Sequence, residues 1–184
     1  MNDNVDEVTE FRRRCSDNAH YQPFGLSAQS SYSTMLAVST FKIGVFAIIL
    51  DERGRVLLCH RRDHDLWNLP GGGLESGETP WEGVIREVRE EVGLAIEVDQ
   101  LAGIYSKPDQ DEVVFSFIGK VRWGIPSLSD EADRIDYFAV ADLPRNTIPK
   151  HVQRIRDALE RGDRVILKTQ IGPSAVELLK KGEL

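Results

Sequence analysis

Cysteine is scarce in this 184-residue chain: Cys15 and Cys59 stand far apart and form no C-x-x-C pair. That excludes a disulfide framework and offers no zinc-ligand spacing. Positive charge is also in deficit, with 23 Lys and Arg against 30 Asp and Glu and a formal net charge of −7. Such a chain has no general electrostatic grip on nucleic acid or on an anionic membrane surface, and neither is expected as a partner. An acidic protein that handles phosphates needs a local source of positive charge, and a metal ion is one. No apolar run is long enough to span a bilayer. The first residues carry Asp3, Asp6, Glu7 and Glu10 where a secretory leader has a basic and then an apolar stretch, so a reducing cytoplasm is the expected setting.

What is present reads as a soluble globular protein, 41% hydrophobic and 29% charged, long enough for one domain with an extension. Residues 1–40 have scattered apolar positions, no sustained period and a Ser-rich end, and are expected to form a poorly ordered extension. The pattern sharpens from Phe41, and a domain is expected over residues 41–160, with residues 161–184 as a strand and tail packed on it. FKIGVFAIILD and VLLCH, joined by ERGR around Gly54, look like the two strands of a hairpin. LWNLPGGG reads as a short strand entering a Gly-rich loop. AIEV, LAGIY, VVFSFIGKV and RIDYFAV read as further strands, HVQRIRDALERG as an amphipathic helix, and RVILKT as a last strand or extended piece. Helices are too few for repeated βαβ units, so the expected fold class is α/β (α+β), a mixed sheet with helices on its faces.

The most specified element begins at Thr79. Thr79 suits an N-cap, Pro80 the first helical position and Glu82 the reciprocal place in a capping box, while Gly93 suits the stop. Trp81, Val84, Ile85, Val88 and Val92 form the expected apolar side. Within REVREEVG, Glu87, Glu90 and Glu91 fall inside one arc of about 100° on a helix, and Gly83 falls in the same arc. Like charges at this spacing cost a helix roughly 0.2–0.5 kcal/mol per pair. A merely solvated face would mix signs, whereas this one separates them, and clustered hard oxygen donors suit Mg²⁺ or Mn²⁺. The glycine leaves room for something to approach the backbone. The preceding GGLESGET resembles a phosphate-binding loop only superficially, since Glu78 stands where that loop has its lysine.

Taken whole, GGLESGETPWEGVIREVREEVGL matches G-x5-E-x7-R-E-U-x-E-E-x-G-U, with U aliphatic, at Gly72, Glu78, Arg86, Glu87, Val88, Glu90, Glu91, Gly93 and Leu94. This resembles the Nudix (MutT-like) family, and WNLPGGG before the box and YFAVADLP after it extend the likeness from Phe41 to about Asp157. The resemblance implies a Nudix fold, an α/β/α sandwich around a mixed β-sheet. It implies divalent-metal-dependent hydrolysis of a pyrophosphate bond in a nucleoside diphosphate linked to a group X. Glu87, Glu90 and Glu91 would then be metal ligands, with Gly71 offering its carbonyl and Mg²⁺ or Mn²⁺ as cofactor. Glu87 is also the candidate base, with Arg86 orienting the glutamates. Glu78 braces the loop, and Gly72 and Gly93 are structural. Family members also place the base on a later loop, which here offers Asp130, Glu131 and Asp133, with Glu131 preferred of the three, although the cluster by itself reads first as a solvated acidic turn. Many members are dimers, so a homodimer is left open.

HRRD places Arg61 and Arg62 where a side chain reaches a phosphate, although strand neighbours alternate and one of them is expected to point away. His60 and His64 lack the context of a zinc motif and read as core or surface histidines. Trp67, in LWNLP, reads as packing ahead of base stacking. Downstream, SQPWPFP of the NADH pyrophosphatases is missing, and Pro108 stands at about the distance where ADP-ribose-cleaving members have a proline. The resemblance therefore favours ADP-ribose or a nucleotide sugar, with a house-cleaning nucleoside triphosphate pyrophosphatase as the nearest rival. A non-catalytic ligand-sensing module is the rival of another class, and such modules commonly lose box glutamates that are all present here.

Overall fold

The computed structural model describes residues 40–184, so the reading of residues 1–40 as an extension lies almost wholly outside it. The strands are β1 (Lys42–Ile49), β2 (Val56–Arg61), β3 (Trp67–Asn68), β4 (Gly71–Gly73), β5 (Ala95–Lys107), β6 (Glu112–Trp123), β7 (Ala132–Phe138) and β8 (Ile166–Thr169). The helices are α1 (Pro80–Val92), α2 (Pro149–Glu160) and α3 (Ala175–Lys180). A five-stranded mixed sheet runs β4-β1-β6-β5-β8, and a three-stranded antiparallel sheet runs β3-β2-β7. No helix among the described residues is long and apolar enough to cross a membrane.

The alternation of β1 explains the layering. Val45, Ala47 and Ile49 pack with Val84, Val88 and Val92 of α1, whereas Ile48 and Phe46 face the other way, towards Ile155 and Ala158 of α2. A strand buried on both faces reads as a continuous apolar run, as FAIIL does. Fully burying each such Val or Ile is worth roughly 1.5–3 kcal/mol. The result is a helix layer on each side of the sheets, the sandwich expected from the sequence.

Four expectations change. The turn between β1 and β2 closes as read, with Asp51 and Arg55 bonded at 3.0 Å, but only Leu50 and Val56 bridge. Both edges of β1 are taken, by β4 and β6, so β2 joins a separate sheet instead of completing a hairpin. The glycines 71–73 form β4 rather than a loop, because β1 offers them a free antiparallel edge. AIEV and LAGIY are one strand, whose register shifts absorb the polar break at Asp99 and Gln100. Trp81 is 54% exposed, since Glu91 rather than Trp81 completes the inward face of α1. The helix α3 went unread, although its Ser174–Glu177 capping box is a local signal of the same kind as that of α1.

Candidate active site

The α1 helix starts and stops where its caps direct. Glu82 N donates to Thr79 Oγ1 at 3.4 Å, Thr79 N donates to Glu82 Oε2 at 2.9 Å, and Gly93, in the left-handed region, donates to Arg89 O at 3.1 Å. This fixes the rotation of the helix and hence the direction of each glutamate. Glu91 points inward and is buried, and its Oε2 accepts from Gly71 N at 2.8 Å, with the Cys59 thiol 3.7 Å away. Glu87 is half-buried, while the Glu90 side chain is exposed.

Arg86 gathers the acidic groups. Its Nε and Nη2 donate to the two oxygens of Glu78 at 2.7 and 3.0 Å, its Nη1 to Glu87 at 2.9 Å and to Glu90 at 3.0 Å, and its Nη2 also to Gly73 O at 3.1 Å. Glu78 therefore meets Arg86 and the Glu75 amide, which ties the box loop to the helix.

Two glycines make the approach of loop and helix feasible. Gly71 has φ +139°, and a Cβ there would lie 2.1 Å from Val45 O; a Cβ on Gly72 would lie 2.8 Å from a Glu87 carboxylate oxygen. At Gly83 the space left on α1 is taken by Leu74, whose Cδ1 would be 2.6 Å from an added Cβ, so what approaches that backbone is a side chain of the box loop.

Glu91 is pushed up to about 7, chiefly by burial and then by the charges of Glu87 and Glu131, against the lowering effect of the Gly71 amide. Glu87 is raised as well, first by burial, with Arg86 opposing and Glu131 and Glu90 adding repulsion. Of the three glutamates only Glu91 has no cation partner, and together with Glu87, which Arg86 neutralises only in part, it forms a hard-oxygen donor set that suits a divalent cation. Glu90 shares Arg86 Nη1 with Glu87, and no three His, Cys, Asp or Glu side chains among the described residues converge closely enough to enclose an ion.

A cavity of about 230 Å³ opens beside Glu91, lined by Cys59, Arg61, Arg62, Asn68 and Glu131 among others. Arg61 and Arg62 both line it, contrary to the expected alternation, because β2 ends at Arg61 and Arg62 has already left the strand. Arg61 is paired with Asp63 at 2.5–2.7 Å, and Arg62 Nε donates to Ser129 O at 3.0 Å. Asp130 and Glu131 reach this cavity, whereas Asp133 turns to His60 Nδ1 at 2.6 Å. Trp67 packs edge-on against His60 and Phe138, a core role. Cys59 and Asn68 are cavity residues that the sequence reading passed over. The i, i+2 spacing of Cys59 and Arg61 on one strand was the signal for the first.

A family model described as the NUDIX domain matches residues 40–161. A Bacillus subtilis (strain 168) protein provisionally named 8-oxo-dGTP diphosphatase is 30% identical over 142 residues, covering 75% of this chain and 95% of the relative. An ADP-ribose pyrophosphatase of Methanocaldococcus jannaschii is 36% identical over 104 residues, covering 53% of this chain and 62% of the relative. Among solved structures, a NUDIX hydrolase from Nitrosomonas europaea superposes with a TM-score of 0.65 at 25% identity, covering 73% of this chain and 81% of that one. With the box glutamates, their arginine and the glycine-rich strand assembled at one end of the sheet, this chain belongs to the Nudix family of pyrophosphate-cleaving hydrolases.

Proposed function

We propose that the chain hydrolyses the pyrophosphate bond of a nucleoside diphosphate linked to X, with ADP-ribose or a nucleotide sugar as substrate. The observation that carries this reading is the buried Glu91 carboxylate, one helical turn from Glu87, at a cavity that Arg61 and Arg62 line. Pyrophosphate oxygens repel an incoming nucleophile, so the site must supply positive charge on one side and a proton acceptor on the other. Arg62 supplies charge from the protein, and Arg61 can do so on leaving its pair with Asp63. Glu87 is the proposed acceptor of the water proton, held in place by Arg86 and raised above the ordinary carboxylate value by burial, with Glu131 as the alternative. Glu91 is fixed by the Gly71 amide. Mg²⁺ or Mn²⁺, held by Glu87 and Glu91 with Glu90 and the Gly71 carbonyl, would neutralise phosphate charge and lower the pKa of a bound water. Attack on one phosphorus and cleavage of the bridging P–O bond leave a nucleoside monophosphate and a phosphorylated X.

Pro108, at the turn between β5 and β6, and the ADP-ribose pyrophosphatase relative support this substrate class. The Bacillus relative supports a second reading, a nucleoside triphosphate pyrophosphatase. A panel of ADP-ribose, nucleotide sugars, and canonical and oxidised triphosphates, assayed with Mg²⁺, with Mn²⁺ and with EDTA, separates the two. The proposal expects metal-dependent release of nucleoside monophosphate from the first two groups well above the rest. Preferential turnover of triphosphates would overturn it in favour of the second reading.

A further inference from the structure

One wall of the cavity beside Glu91 depends on an irregularity in β7. β2 and β7 pair antiparallel, with Cys59 opposite Ile135, His60 opposite Arg134 and Arg61 opposite Ala132. Asp133 is therefore the extra residue of a β-bulge. Opposite residues of such a pair share a face, so the bulge sets Ala132 on the face of Arg61, and both line the cavity. Side chains alternate along a strand, and a slip of one residue would reverse this arrangement. Asp133 would then face the cavity, Ala132 would turn away, and Asp130 and Glu131 would shift with it. Bulges recur beside active sites because they redirect side chains in this way.

His60 holds the bulge. Its ring is buried on the face of β2 turned away from Cys59 and Arg61, edge-on to Trp67. Nδ1 donates to Asp133 Oδ1 at 2.6 Å, and this bond is the chief reason that the Asp133 carboxyl lies below the usual carboxylate range. Nε2 meets Asp65 Oδ1 at 2.9 Å and Arg134 Nη2 at 2.7 Å, and Asp65 also accepts from Asn146 Nδ2 at 2.9 Å. One ring nitrogen thus grips the bulge while the other anchors the ring to the loop after β2. On the cavity side, Glu131 is fastened through its main chain. Arg62 N donates to Glu131 O at 3.0 Å, and Glu131 N and Ala132 N donate to Ser129 Oγ at 3.2 and 3.1 Å.

We propose that His60 is a positioning residue for the hydrolysis: by gripping the bulged Asp133 it keeps Glu131 at the cavity. The inference rests on the pyrophosphatase reading above, in which Glu131 faces the substrate. A bulge leaves its extra residue outside the regular ladder, so regular pairing competes with it unless something else holds that residue. The bond from Nδ1 supplies the hold from the far side of the sheet, where it takes no room from a substrate.

The test separates the two ring nitrogens in the full chain. His60→Asn places an amide donor near the position of Nδ1 and keeps a bond to Asp133, whereas His60→Gln places it near Nε2 and leaves Asp133 without one. Asp133→Ala leaves the buried ring in place and should copy His60→Gln, so the test survives if the latter fails to fold. Amide exchange reads the bulge without any substrate. The proposal expects exchange at Arg62, Glu131 and Ala132 to quicken at least tenfold in His60→Gln and to stay near wild type in His60→Asn. Equal rates in the two variants overturn it. For ADP-ribose with Mg²⁺, kcat/KM should fall about tenfold in His60→Gln, recover most of that in His60→Asn, and fall in Glu131→Gln. Adding His60→Gln to Glu131→Gln should then cost nothing more. The same tenfold fall in both backgrounds would show that His60 acts elsewhere and overturn the proposal. A wild type without metal-dependent turnover of any pyrophosphate substrate would overturn the pyrophosphatase reading, and the exchange rates would still decide what His60 holds.

Discussion

Glu91 concentrates the conflict between folding and chemistry in this molecule. A buried carboxylate with one amide donor is poorly solvated, and its pKa is pushed up to about 7 from an ordinary 4.5. Between those values the folded chain holds a proton that the unfolded chain has released. Stability in the absence of metal therefore falls as pH rises from about 4.5 to 7, and the loss persists above that. Glu91→Gln keeps an acceptor for Gly71 N and removes the charge. Its stability should be flatter across this range and, at pH 8 in EDTA, exceed that of wild type by up to about 3 kcal/mol, while metal-dependent turnover disappears. Melting curves at pH 5 and 8 check the first part and a turnover assay the second; wild-type activity in the variant would remove Glu91 from the site. The acidic arc itself was legible in the sequence, because helical spacing is local. Which of the three glutamates turns inward was not, since Glu90 and Glu91 differ only by one step of rotation and packing against β2 and β4 decides. Nor does helical spacing reveal the Arg86–Glu78 pair, which spans the loop–helix junction.

Elements were readable where their signals are local and unreadable where a distant partner decides. The capping box, N1 proline and Gly93 stop of α1 are all contained in fifteen residues, 79–93, and the helix has the expected bounds. The supposed hairpin failed because strand pairing depends on β4 and β6, which lie far along the chain. Gly83 joins the two kinds of information. By propensity alone, Gly83→Ala gains about 1 kcal/mol, yet the new Cβ would meet Leu74 Cδ1 at 2.6 Å and Glu78 Oε2 at 3.2 Å. Both atoms end flexible side chains that can give way, so the clash should offset much of that gain and leave the single variant close to neutral. It should also slow turnover, because Glu78 anchors Arg86. In the Leu74→Ala background the clash is gone, and the same substitution should stabilise the protein relative to Leu74→Ala alone. A double-mutant cycle by urea denaturation measures this coupling; additive effects would mean that Leu74 does not set the need for glycine at 83.

At the scale of the whole molecule, the question is how the chain after residue 161 is bound to the domain before it. Composition and periodicity revealed a strand near RVILKT, but no local pattern could show that Gln170 lies over Arg154, because that contact closes a loop from α2 around to the far edge of the sheet. Arg154 is fully buried between the rings of Phe46 and Tyr105, at 5.1 and 5.4 Å, and burial pushes it down to about 10. Gln170 Oε1 is the acceptor for its Nε and Nη2, at 3.1 and 2.8 Å, and Nη1 has no partner among the described residues. A buried cation so sparsely bonded makes its one acceptor indispensable. Gln170→Ala should cost roughly 3 kcal/mol, most of it the penalty of leaving the guanidinium unpaired rather than the worth of the bond. Arg154→Met in that background removes the orphaned charge and keeps most of the volume between the two rings, so it should restore much of the loss. If the double variant is no more stable than Gln170→Ala, the cost comes from the other bonds of Gln170, to Lys150 O and Gln153, and not from the cation. Amide exchange over Ile166–Thr169 adds a second readout: it should quicken in Gln170→Ala if this side chain is what holds β8 against β5.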